Sequence, residues 1–95
     1  MKVLIDAKFP FGQVVATATL VRYCEENNFS VLPCLIRHGN CDWGDVCKDD
    51  KAANDEALKV GLRLLSAYRL PDGKKFWIIT EADRSATTVL FPEDY

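Results

Sequence analysis

No apolar run in this chain of 95 residues approaches the roughly 20 residues that cross a bilayer. A basic surplus is also lacking. Twelve Lys and Arg stand against 14 Asp and Glu, a net charge of −2. That gives no global basic field for gripping nucleic acid, and far too little negative charge for mimicry of DNA over a whole surface. Histidine occurs once, at His38, so catalytic or metal chemistry built on several imidazoles is excluded. Internal repeats, low-complexity stretches and linkers are missing. The length leaves no room for separate cofactor-binding and substrate-binding halves, and a single domain spanning residues 1–95 is expected. Met1-Lys-Val-Leu-Ile5 is followed by Asp6 and Lys8, unlike a secretory leader. Cys24, Cys34, Cys41 and Cys47 are therefore expected as reduced thiols, in a cytoplasmic protein.

What is present is a 48% hydrophobic content, enough for a small core, and a strong pattern in the last third. Leu62 to Leu70 has strand composition and runs into Pro71-Asp72-Gly73. Proline presets φ for the first turn position, Asp72 tolerates the next, and Gly73 supplies the positive φ of a bulge. This three-residue hairpin loop pairs Leu70 with Lys74, and the register follows by counting. Tyr68 faces Phe76, Ser66 faces Ile78 and Leu64 faces Thr80 on one side. On the other, Arg69 faces Lys75, Ala67 faces Trp77, Leu65 faces Ile79 and Arg63 faces Glu81. A slip by one residue would exchange the two faces, so the register is well specified. A second turn, Glu81 to Ser85, returns the chain into Ala86–Phe91, and Pro92 ends that strand for want of an amide hydrogen.

Upstream, Met1–Ile5 has the composition of a short strand, and Phe11–Val15 suits either a strand or the lead into a helix. Thr17 or Thr19 can cap a helix over Leu20–Glu26, and Ser30 can cap a second, with Pro33 in its first turn, running through Cys34 to His38. Cys41–Asp45 reads as a loop. A charged helix from Lys48 to Val60, with a break at Asn54 allowed, turns Ala53, Ala57, Leu58 and Val60 inward, and Gly61 follows it as a left-handed stop. The expected architecture is α+β: two to three N-terminal helices packed on a C-terminal three-stranded antiparallel meander, with room for an added N-terminal strand.

Two blocks of charge are candidates for binding. Residues 41–56 hold Asp42, Asp45, Asp49, Asp50, Asp55 and Glu56 against Lys48 and Lys51, a local −4. Together with Trp43, whose indole would anchor an interface at low entropy cost, they form the expected partner-binding set. An equally physical reading buries Trp43 under its loop, sharing cover with Trp77, with Gly44 supplying a positive φ. Arg63, Arg69, Lys74 and Lys75 against Asp72, a local +3, form the alternative set, suited to nucleic acid.

Cys34, His38, Cys41 and Cys47 are the metal-binding residue types that cluster, at spacings of three, two and five intervening residues. These match no common zinc knuckle or finger, so no metal is expected; a small zinc or thiol protein is a further alternative. His38, near a helix end, is expected to interact with the last carbonyls. No catalytic residue and no cofactor is expected.

Asp42-Trp-Gly-Asp45, Asn54–Lys59, Leu64–Tyr68, Asp72-Gly73, Trp77–Ser85, Thr87–Leu90 and Pro92–Tyr95 together resemble a family of small bacterial proteins common on plasmids and integrating elements. These are often labelled "type I restriction endonuclease subunit M" or "plasmid-related protein". The resemblance covers roughly residues 38–95. It implies a mobile-element accessory rather than methyl transfer, since the chain carries neither a cofactor-binding sheet nor the Asn-Pro-Pro-aromatic type of loop that holds a flipped adenine. The expected function is non-enzymatic inhibition of a bacterial defence complex, anti-CRISPR or anti-restriction. The expected partner is a protein or ribonucleoprotein complex, with direct nucleic-acid binding as the alternative and no membrane. A homodimer is compatible with the sequence.

Overall fold

The computed structural model describes residues 7–95, so the strand expected over residues 1–5 lies outside them. Three helices and four strands follow in the order β1 (Gln13–Ala16), α1 (Ala18–Glu26), α2 (Leu32–Gly39), α3 (Lys48–Val60), β2 (Leu64–Arg69), β3 (Lys75–Thr80) and β4 (Ala86–Leu90). A single 3-10 turn, Pro92–Asp94, comes last. Among the described residues, no helix is long and apolar enough to cross a membrane.

The class is the expected α+β, and the meander pairs as counted, from Leu64 with Thr80 to Arg69 with Lys75. The added N-terminal strand for which the sequence left room is β1; it joins the meander in the order β1-β4-β3-β2, parallel to β4 while the rest are antiparallel, which makes the sheet mixed. Phe11–Val15, which suited two structures, supplies this strand. Gly12 decides it: at φ 64° it passes so close to the β3–β4 turn that a Cβ there would lie 2.3 Å from the Ser85 carbonyl. The chain thus enters alongside β4, and Gln13 N–H donates to Ser85 C=O at 3.0 Å.

One face of the sheet carries Leu64, Ser66, Tyr68, Phe76, Ile78, Thr80, Thr87 and Val89, all buried beneath the helices. Leu20 of α1 and Leu35 of α2 join Tyr68, Phe76, Ile78 and Val89 in the larger apolar cluster. Phe9, Trp43, Ala57 and Leu64 form a smaller one toward α3. On the opposite face Trp77 packs edge-on against Tyr95, centroids 6.0 Å apart. The two tryptophans therefore lie on opposite faces and share no cover.

α3 is continuous through Asn54 and ends, as expected, at Gly61 in the left-handed region. Its inward face is Asn54, Ala57 and Leu58; Ala53 and Val60 are exposed, contrary to the apolar pattern. The reason is a bidentate bond: Asn54 Nδ2 donates to Leu65 C=O (2.7 Å) and its Oδ1 accepts Leu65 N–H (3.1 Å). A buried amide that satisfies both groups of one strand residue outcompetes alanine or valine for that position. The expected Arg63–Glu81 match does not form, because the ladder starts at Leu64 and the Arg63 guanidinium instead bonds the Tyr95 hydroxyl.

Candidate functional site

His38 does not cap its helix; it is 0% exposed, in the middle of the core. Its Nδ1 lies 2.5 Å from Ser66 Oγ on β2, and its Nε2 lies 2.9 Å from Thr80 Oγ1 on β3. Thr80 Oγ1 is 2.8 Å from Thr87 Oγ1 on β4, which donates to the Phe11 carbonyl at 2.8 Å. That last bond orders the rest. Each hydroxyl has one hydrogen, so Thr87 spends its own on Phe11, Thr80 donates to Thr87, and Nε2–H donates to Thr80. Ser66 then donates to Nδ1, which assigns the neutral Nε2–H tautomer. Phe9, Phe11 and Trp43 surround the ring at 5.3 to 5.8 Å. Burial, with Arg84 adding a smaller repulsion, lowers the His38 pKa to about 4.

The signal for this network was present in the sequence. Counting placed Ser66 and Thr80 on a face otherwise filled by Leu64, Tyr68, Phe76 and Ile78, and hydroxyls buried there require partners. A serine and a histidine within bonding distance suggest nucleophilic chemistry, but both are fully buried. With both ring nitrogens committed, His38 is no metal ligand. Among the described residues, no group of three His, Cys, Asp or Glu is placed to hold an ion. Burial also raises the pKa of Cys24, Cys34 and Cys41, which holds these thiols protonated.

The loop before α3 is stitched to the free edge of β2. Ala67 N–H donates to Trp43 C=O (3.1 Å) and Asp45 N–H to Ala67 C=O (2.6 Å), a one-residue parallel bridge. Gly44 is required twice over: its φ is 74°, and a Cβ would sit 2.1 Å from Ala67 O. The bridge turns Trp43 inward to 3% exposure, with its Nε1–H bonded to Asp55 Oδ1 at 3.0 Å. Trp43 is thus a core residue and is removed from the partner-facing set.

The charged candidates are redistributed in the same way. Asp42 accepts from the Arg37 Nε–H at 2.8 Å, and that bond is the main cause of its lowered pKa. Asp45 lies between Arg69 (2.8 Å) and Lys75 (3.5 Å), which relieves the like-charge pair set by the hairpin register. The positive charge of Lys75 and then Arg69 lowers the Asp45 pKa. Arg63 stacks on the Tyr95 ring at 5.5 Å. From the basic set, Lys74 alone has neither an ion pair nor an aromatic partner among the described residues; from the acidic set, Asp49, Asp50 and Glu56 remain exposed on α3 without an ion pair.

Sequence reasoning missed Arg84. At φ 60° in the β3–β4 turn, it donates to the carbonyls of Leu62 (2.7 Å), Glu81 (3.0 Å), Ala82 (3.3 Å) and Ala57 (3.4 Å). Its guanidinium also lies 5.8 Å from the Phe9 ring centroid. One side chain so joins the end of α3, the start of β2 and the segment ahead of β1. No family model, no curated protein and no solved structure matches this chain.

Proposed function

We propose that this chain is a non-enzymatic binding module, an accessory protein of a mobile element. It covers a basic, nucleic-acid-gripping surface on a bacterial defence complex, of the restriction or CRISPR kind. The observation that carries this reading is the state of α3. Asp49, Asp50 and Glu56 stand exposed and unpaired among the described residues, whereas Asp42 and Asp45 are spent on neighbouring arginines and Lys75. Fixed carboxylates on a rigid helix steer and orient a basic partner better than the same charges on a loop. The burial of Ser66 and His38 supports a role without turnover. The mobile-element setting rests on the resemblance over residues 38–95.

The test is transformation of cells that carry an active restriction or CRISPR system with a targeted plasmid, in the presence and absence of the chain. Expected is a rise in transformation, abolished by combined Asp49→Lys, Asp50→Lys and Glu56→Lys substitutions that leave the unfolding transition in place. Asp45 is left untouched, because its reversal would disturb the Arg69 and Lys75 contacts. Protection that survives the triple reversal refutes the acidic mode of binding. Absence of protection against every such system refutes the anti-defence role.

A further inference from the structure

The two edges of the sheet are treated differently. On the β2 edge, Asn54 bonds both backbone groups of Leu65, and Trp43 and Asp45 bond those of Ala67. Such closure is how natural sheets avoid pairing with other chains. The β1 edge has no such cover among the described residues. Gln13 N–H and Thr17 N–H point to β4, donating to Ser85 and Val89 at 3.0 Å each. Because backbone groups alternate along a strand, the N–H and C=O of Val14 and Ala16 point away from β4. These four groups have no hydrogen-bond partner among the described residues. Val14 and Val15 are 46% and 39% exposed.

We propose that β1 is a self-association surface, and that a second copy of this chain pairs with it antiparallel about a two-fold axis at Val15. In that register Val14 faces Ala16 of the other copy, Val15 faces itself and Gln13 faces Thr17. The four outward groups of each strand meet those of the other in four hydrogen bonds, and the two sheets become one of eight strands.

The chemistry of the strand selects a second copy over an unrelated peptide. A two-fold contact brings every side chain near its own duplicate, so any charge at or close to the axis meets a like charge. Residues 13–17 are Gln, Val, Val, Ala and Thr, with no charge, no proline and no bulge. The β-branched pair at the axis is among the favoured cross-strand neighbours. A four-residue ladder alone is too small for a stable interface. Additional, mostly apolar surface is adjacent: a hollow of about 300 Å³ is lined by Ala16, Leu20, Val21, Cys24, Phe29 and Val31, with Glu25 and Ser30 as its polar members. This inference is independent of the acidic face of α3.

The test combines sedimentation velocity, from low micromolar to millimolar protein, with amide hydrogen exchange resolved by NMR. Expected is a reversible dimer in which the Val14 and Ala16 amides gain protection with concentration, while those of Gln13 and Val15 are protected throughout. Val15→Lys places two ammonium groups at the axis and weakens the dimer by at least about tenfold, and Val15→Thr, uncharged and β-branched, keeps it. Three results overturn the proposal: a monomer at all concentrations with Val14 and Ala16 unprotected; a monomer in which those amides are protected, so that the chain's own first six residues fill the edge; and a dimer indifferent to Val15→Lys. Unchanged far-UV dichroism of both variants assigns a lost dimer to the contact and not to unfolding.

Discussion

Lowering the pH from 7 to 4 tests the buried proton chain through a single group, because His38 is the lone histidine. The folded state holds the imidazole neutral, with a pKa lowered to about 4 by burial first and by Arg84 second. An unfolded chain takes up its proton near the ordinary value of about 6.5. Below 6.5 the unfolded state therefore binds a proton that the folded state refuses, and stability falls as pH falls. The loss continues until the folded-state pKa is reached and then stops. Over that window it amounts to about 3 kcal/mol, at 1.36 kcal/mol per pH unit, a large share of the stability of a domain this small. Hydrogen bonding alone would not resist protonation, since the Ser66 hydroxyl can turn to accept from a charged Nδ1–H; the cost comes from placing a cation among Phe9, Phe11 and Trp43. The carboxyls of Asp42, Asp45 and Asp83, all lowered from their usual value of 3.8, lose their contribution only below that range, so the two effects separate on the pH axis. Urea unfolding at steps between pH 7.5 and 4, followed by tryptophan fluorescence, gives the slope; NMR of the single imidazole gives the pKa directly. A flat stability profile between pH 6.5 and 4.5, or a ring titrating near 6.5 in the folded protein, would refute the reasoning.

Three further outcomes follow from the geometry. Asn54→Ala leaves Leu65 N–H and C=O unpaired beside α3 and is expected to cost about 2 kcal/mol by chemical denaturation, with Leu65 amide exchange rising out of proportion to the rest of β2. Gly44→Ala drives a methyl group into the Ala67 carbonyl, so the bridge is expected to open and Trp43, 3% exposed in the native chain, to become more accessible to acrylamide quenching. Arg84→Met removes four carbonyl contacts together with the guanidinium over Phe9, and is expected to cost roughly 1–3 kcal/mol; an unchanged urea midpoint would show that these bonds are replaced by water without loss.

The meander was legible because its information is local. Pro71-Asp72-Gly73 fixes the loop, the loop fixes the pairing of Leu70 with Lys74, and a period of two carries the register from there to Leu64 and Thr80. The helices were legible from Pro33 and Gly61; the expected caps are not made, since Thr17 precedes α1 but gives its hydroxyl hydrogen to Asp94, and Val31 rather than Ser30 precedes α2. What escaped were features made by residues distant in sequence. β1 looks undecided in isolation because its strand identity comes from Ser85 and Val89, about 70 residues onward. Asn54 reads as a weak point in a helix until Leu65 is placed beside it. The acidic and basic blocks read as two surfaces because nothing in the sequence says that Asp45 lies between Arg69 and Lys75. His38 and the inward hydroxyls were each visible, but the link between them depended on α2 crossing the sheet at that height, which no periodicity encodes.

The parallel pairing of β1 with β4 also has a bearing on how the chain reaches its final form. Gln13 meets Ala86, so closing that ladder traps nearly the whole polypeptide in one loop, whereas β2, β3 and β4 need only short turns. Entropy of closure rises with the length enclosed, and distant pairings are made slowly. The hairpins are therefore expected to assemble first and β1 to join last. Pulse-labelling of amides during refolding would register this as late protection of Val15 relative to Ile79.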